Sequence, residues 1–247
     1  MWKRSLRTLS RQYAVGSRHY FHFLLLTAYC LLLTVSCAPK HVEMPSYEGV
    51  GLNEALSELK NIQSIEAVLS VEYEKNDSTM SGDASLNVSE DKLNLRLYYL
   101  GFPAGEVAED NGIVKSKPRL DKNKSTVLVD GLKNSFFWWN IKDYTLQEKE
   151  DVYVLKNSYR KIFISKKTLL PVQQTIELND GEALNIFYDA PAKNNTEDRE
   201  KDSPELKSTN SELQTPNSKP VWYQSRLRIE FKNYIVKIKI KSYSVVR

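Results

Sequence analysis

All of the sequence's imidazoles and thiols lie in its first 41 residues: His19, His22, Cys30, Cys37 and His41. Nucleophilic catalysis by a Ser–His or Cys–His arrangement needs an imidazole beside the nucleophile. Zinc sites draw on several His or Cys ligands. Beyond residue 41 the chain has neither side chain, and it contains no P-loop or GxGxxG fingerprint. No cofactor and no metal is therefore expected. Carboxylates are plentiful, and a pair of them can do acid–base work on a glycoside. No spacing here selects such a pair, so no catalytic residue is assigned. An enzyme would need a buried carboxylate pair in a polar cleft. What remains is chemistry done to the chain at a cysteine, and physical work done by apolar surfaces.

The cysteine is Cys37. Residues 1–36 carry Lys3, Arg4, Arg7, Arg11 and Arg18, no acid, and then the apolar run "FHFLLLTAYCLLLTVS". A basic start, an apolar stretch and small residues before a cut describe a secretory signal peptide. The run is shorter than the roughly 20 residues of a comfortable membrane span. The end, "LTVSCAP", resembles a bacterial lipobox, whose cysteine becomes the lipidated first residue. Val35 and Ser36 suit the motif, while Thr34 stands where Leu is usual. Cleavage there removes five basic residues and no acid, turning 35 basic against 31 acidic residues into 30 against 31. The basic balance belongs to the leader and argues nothing for nucleic acid, whose binders carry a basic patch on the folded domain. Cys30 also leaves, so no internal disulfide is expected.

The elements behind the leader follow from periodicity. Residues 37–50 hold two prolines and read as a lipidated tether. Leu52, Ala55, Leu56, Leu59 and Ile62 make one helical stripe. From Ile65 the period becomes two, through Leu69, Val71, Leu86, Leu95 and Leu97, and again in later runs up to Trp222–Phe231 and Tyr234–Val245. Asn/Asp-Gly turns link several runs. The pattern predicts a mainly β domain over 51–247: an unclosed antiparallel β-barrel of about 11 strands with short helices. Residues 190–220 are polar and low in apolar content, and they read as a disordered loop insert.

Two stretches do not fit plain strands. In "LNLRLYYLGFPAGEVAED" (93–110), a hairpin places Leu100, Phe102 and Pro103 in its tip, where polar turn residues are usual. Phe102 either packs back on its own sheet or stands out in solvent. In "DGLKNSFFWWNIKDY" (130–144), four consecutive aromatics include Trp138 and Trp139. They read as an aromatic core helix or as a helical lid over an apolar cavity. The ending "NYIVKIKIKSYSVVR" alternates Val236, Ile238 and Ile240 with three lysines. Its lysine face is either a solvated, guarded strand face or one turned to anionic lipid headgroups.

Lipobox, tether, short helix, the strands around "LRLYYLGFPAG" and the ending "LRIEFKNYIVKIKIKSY" together resemble the LolB family of outer-membrane lipoprotein receptors. The resemblance runs over Gly51–Tyr243, and the 190–220 insert and the tryptophan pair depart from the family pattern. It implies an unclosed barrel with helices over its mouth and a hydrophobic cavity between. It also implies Cys37 as the lipidation site on the periplasmic side of the outer membrane. Partners would be acylated lipoproteins, a periplasmic LolA-like carrier and outer-membrane lipid. The protruding apolar loop of that family maps to Leu100, Phe102 and Pro103. The acyl cavity would be lined from inward faces by Leu69, Val71, Leu86, Leu95, Leu97, Ile164, Ile176, Ile186, Leu227, Ile229, Val236 and Ile238, with Trp138 and Trp139 above.

Such a role needs no catalysis. Shielding an acyl chain from water is worth ~0.8 kcal/mol per methylene. One exposed aromatic entering a bilayer gains ~1.5–3 kcal/mol. The competing expectation is a LolA-like half-barrel lipoprotein that serves as a lipid-binding sensor or envelope scaffold.

Overall fold

The computed structural model describes residue 45 and residues 50–76, 78–193 and 221–247. The signal peptide, Cys37, most of the tether and most of the 190–220 insert lie outside the described residues.

A helix, α1 (Leu52–Lys60), turns its Leu52, Ala55 and Leu56 face inward. Gln63 N donates to Val246 O at 2.8 Å, tying the helix exit to the last strand. Among the described residues twelve antiparallel strands follow. They are β1 (Ser64–Lys75), β2 (Ser78–Ser89), β3 (Lys92–Tyr99), β4 (Phe102–Asp110), β5 (Ile113–Lys117), β6 (Thr145–Glu148), β7 (Val152–Lys156), β8 (Arg160–Ser165), β9 (Pro171–Glu177), β10 (Ala183–Lys193), β11 (Trp222–Phe231) and β12 (Tyr234–Val246).

Their order is β5-β4-β3-β2-β1-β12-β11-β10-β9-β8-β7-β6. The sheet is thus two up-and-down meanders joined at the middle by the β1–β12 pair, and its edges β5 and β6 do not meet. The expected unclosed antiparallel architecture is present, with two edge strands beyond the runs seen in the alternation. Both are solvent-exposed on nearly every residue, so no buried alternation marks them.

The topology also explains the helical segment. Going from β5 to β6 means crossing from one free edge of the sheet to the other. The crossing is made by α2 (Lys122–Ser125), a π-helical turn (Thr126–Gly131) and α3 (Leu132–Phe136). Asp121 caps its start, accepting from Lys124 N at 2.8 Å. Gly131 lies close on the sheet: a Cβ there would come within 2.9 Å of Ile229 Cγ2. The inward positions of the strands, Leu69, Leu95, Ile164, Ile186 and Ile229 among them, form one core with this segment. Register shifts at Val68/Leu69, Leu97/Tyr98 and Phe163/Ile164 are bulges that add twist and curvature.

Candidate functional site: an open apolar cavity beside a protruding hairpin

Two inward positions, one on β2 and one on β4, carry glycine where most inward positions of the sheet carry large residues. Gly82 pairs with Val71 and Gly105 with Leu97. A Cβ at Gly82 would run into the Tyr98 carbonyl oxygen, and one at Gly105 would sit 3.1 Å from Lys117 O. Only glycine fits the approach at Gly82 and the one at Gly105 is tight, and the missing side chains leave the space above unfilled. The result is a cavity of about 260 Å³, lined by Val71, Tyr73, Leu97 and Tyr99 on the sheet side and by Leu120 and Leu128 on the helical side. Polar groups are confined to a few positions such as Asp83, Glu106 and Lys124. Burial pushes the Tyr73 phenol up to about 12, helped by Tyr234 and Asp121. Its buried hydroxyl has no hydrogen-bond partner among the described residues.

The cavity runs out onto the β3–β4 hairpin. Tyr99 pairs with Phe102, so the turn is two residues long, Leu100-Gly101, with φ of 50° and 82°. The β4–β5 turn, Asn111-Gly112, has the same pair of angles. Both have the positive φ at each central residue that marks a type I′ hairpin turn, for which Asn-Gly is favoured. A leucine in the left-handed region costs roughly 1–2 kcal/mol. Leu100 is 79% exposed and Phe102 74%, with Tyr99 and Met80 exposed beside them. Phe102 does not fold back on its sheet. Pro103, also exposed, follows Phe102 in β4 and lies opposite Tyr98 at the bulge.

The other half of the inner face is full. Phe136, Phe137, Trp138, Trp139 and Ile141 are all buried, the aromatics after α3 in a turn rather than a helix. Phe136 stacks on Tyr243, which stacks on Tyr223 with centroids 4.2 Å apart. Trp138 meets Trp139 edge-on at 5.7 Å. Arg160 holds this plug from beneath. Its guanidinium donates to Gln174 Oε1 (2.7 and 3.1 Å), Asn140 O (2.9 Å), Trp138 O (3.1 Å) and Asn134 O (3.3 Å). Among the described residues no carboxylate pairs with it. Burial lowers its pKa to about 10, so it stays charged at neutral pH, and neutral acceptors alone compensate its desolvation.

Of the inward residues expected to face a ligand, Val71 and Leu97 line the open cavity. Leu69, Leu86, Leu95, Ile164, Ile176, Ile186, Leu227, Ile229, Val236, Ile238, Trp138 and Trp139 are buried in the core. Sequence reasoning passed over Gly82, Gly105, Tyr73 and Leu128. It also passed over Arg160 and Gln174, although both fall in phase with inward Ile162, Ile164 and Ile176, and that phase was the available signal.

A polar pocket of about 280 Å³ holds the carboxylates Glu109 and Asp130 with Lys133. Glu109 is fully engaged: Oε1 accepts from Gly112 N and Oε2 from Lys133, both at 2.7 Å. This ion pair fastens α3 to β4. No group of three or more His, Cys, Asp or Glu among the described residues is placed to hold a metal ion. No helix among them is long and apolar enough to cross a membrane.

No protein-family model matches the sequence, and no curated protein does. Solved structures are similar in chain course. A LolA-superfamily protein from Nitrosomonas europaea superposes with a TM-score of 0.49 at 10% identity, over 81% of this chain and 95% of that one. A Vibrio parahaemolyticus chain described as an outer membrane lipoprotein-sorting protein domain gives 0.48 at 8%, over 78% and 90%. A DUF1329 family protein from Desulfovibrio piger gives 0.44 at 13%, over 82% and 94%. At these identities none of the three says what this chain binds.

Proposed function

We propose that this chain is a non-catalytic acyl-chain receptor of the bacterial envelope. In this reading it is lipid-anchored through Cys37 to the periplasmic side of the outer membrane. It takes acyl chains of lipoproteins from a LolA-like carrier and passes them to outer-membrane lipid. The observation that carries the reading is the continuity of the glycine-floored cavity with an exposed apolar hairpin. The sequence accepts a left-handed leucine at a turn where asparagine is easier, and it places that leucine where no contact of the folded domain rewards it. Backbone strain of this kind concentrates at functional positions. Leu100 and Phe102 entering a bilayer would each gain ~1.5–3 kcal/mol, enough to orient an anchored domain and release a chain from the adjoining cavity.

The size of the cavity favours a second reading. At about 260 Å³ it lies just under the ~300–1,000 Å³ of pockets that enclose a drug-sized ligand. With the aromatic plug in place it takes part of one acyl chain, which suits a lipid sensor or scaffold. A receptor for several chains has to displace the plug.

The test is native mass spectrometry of the chain with a triacylated lipopeptide, followed by transfer to vesicles of outer-membrane lipid. The receptor reading expects a one-to-one complex that is lost when Leu97→Trp fills the cavity. It expects transfer to fail in Phe102→Glu while the complex persists. A complex without transfer leaves the sensor; no complex with a folded chain removes both.

A further inference from the structure

The opposite face of the sheet carries a feature that acyl binding does not use. Side chains alternate across a strand, so Ser70, Glu72, Phe187, Asp189, Arg226, Arg228, Lys237 and Lys239 face away from the core. They line a groove of about 470 Å³ over β1, β10, β11 and β12. Its floor is the strand backbone at Val71, Tyr188, Leu227 and Ile238, whose side chains point inward.

The centre of the groove is a block of four cations. In the β11–β12 ladder Arg226 stands directly opposite Lys239, and Arg228 directly opposite Lys237. Such opposed residues have Cβ atoms about 5 Å apart, and like charges at that spacing destabilise a sheet. Two carboxylates flank the block rather than dividing it. Asp189 lies across from Arg226 on one side, and Glu72 across from Lys237 on the other. Lys237 is taken up by Glu72 and Glu74, and Arg228 by Glu230 at 3.1 Å and the Phe187 ring at 4.6 Å. Arg226 and Lys239 have no ion pair with any described residue. With Glu74 and Glu230 counted, four carboxylates surround the four cations, so what marks the groove is two opposed cations that lack ion pairs rather than a net charge.

We infer that this groove binds a phosphate group. A monocarboxylate needs one guanidinium. A dianionic phosphate can engage both unpaired cations at once, and the planar Arg226 fork offers it paired donors. The hydroxyl of Ser70, opposite Lys239, supplies a further donor. Arg226 and Lys239 are the groups that take the ligand. Lys237 and Arg228 are held by their own carboxylate partners. The phosphate arrives either on a small anion or on the headgroup of an anionic lipid. The site does not depend on the acyl cavity, since it lies on the other face.

Titration of the full chain with inorganic phosphate and with glycerol phosphate tests the small-anion source. Capture on phosphatidylglycerol over phosphatidylcholine vesicles tests the headgroup source. R226Q/K239Q should weaken whichever binding is seen by about tenfold or more. The control K92Q/K122Q, at exposed cations elsewhere, should leave it unchanged. Saturable binding of a free phosphate that R226Q/K239Q loses establishes a small-anion site. A vesicle preference lost in the same variant establishes the headgroup as the source. Equal loss in both variants, or no loss in either, overturns the proposal. A second readout separates binding from folding. Because R226Q/K239Q removes opposed like charges, its thermal midpoint should equal or exceed the parent's, and a clear drop would mean that the block serves the sheet instead.

Discussion

The two meanders follow the same rule of alternation and reach opposite ends. In β7–β12 the inward positions meet Phe136–Trp139, and even the buried charge of Arg160 is spent on fixing that plug. In β1–β5 the inward row toward the hairpin tip runs through Ala84, Gly82 and Gly105, and the space above stays open. Burial of large side chains supplies most of a domain's stability, so the full half can carry the open one. A cavity and a strained exposed leucine are tolerable because they sit on a sheet whose other side is packed.

The contrast can be broken from the full side first. Arg160→Met leaves the carbonyls of Trp138 and Asn140 and the Gln174 amide oxygen in the core without their donor, while Asn134 O keeps its 3.4 Å bond from Gln174 Nε2. Each such loss costs ~1–3 kcal/mol, so urea unfolding should show a total of about 3 kcal/mol or more. A cost under ~1 kcal/mol would mean that the plug holds by packing alone. On the open side, Gly82→Val pushes against the Tyr98 carbonyl and should cost about 2 kcal/mol by overpacking, while abolishing binding of a fluorescent acyl probe. Retained probe binding would show that the glycine floor does not define the ligand space.

Leu100→Asn sharpens the comparison in the reverse direction. It gives the β3–β4 turn the sequence already present at Asn111-Gly112, and should raise stability by about 1 kcal/mol while lowering association with lipid vesicles by about tenfold. A variant that gains stability with no loss at the membrane would assign Leu100 no role there.

The smallest effect is one of pH. The Tyr73 phenol is raised from 10.0 to about 12, so the folded state keeps a proton that the unfolded chain gives up. Its contribution is complete below the unfolded value and is lost as pH rises through about 12. Tyr73→Phe should flatten the alkaline limb of a stability profile, and an unchanged limb would place the loss at Tyr188 or Tyr243, whose phenols burial also raises.

Much of this was legible in the sequence because burial on one face writes itself as period two. Ile65 to Tyr73 and Val236 to Ile240 gave strand and phase together. The edge strands β5 and β6 were not legible, since exposure on both faces leaves no alternation to read. The helical segment begins with Lys-Asn-Lys-Ser, which has no apolar stripe, so its start at Lys122 was missed while its aromatic end was plain. The apolar tip stood out, but the two-residue turn that places Leu100 in it depends on register. The cavity itself was illegible for a simple reason: it is made by side chains that are missing. Glycine in a strand can mean a bulge, a bend or a close backbone approach, and only the facing Tyr98 and Lys117 carbonyls decide which.

The central seam of the sheet has a consequence for how the molecule is made. Each meander can form from hairpins between neighbours in sequence, but β1 and β12 come from the two ends of the domain; Ser244 Oγ reaches Glu66 O across 178 residues. Closing so long a loop costs entropy before any contact repays it, and sheets dominated by distant pairings fold in roughly milliseconds to seconds. Until the seam closes, β1 and β12, both interior strands of the finished sheet, are free edges, the condition under which strands pair with the wrong chain. The interval before the seam closes is thus when a newly made copy most needs protection from pairing with another chain.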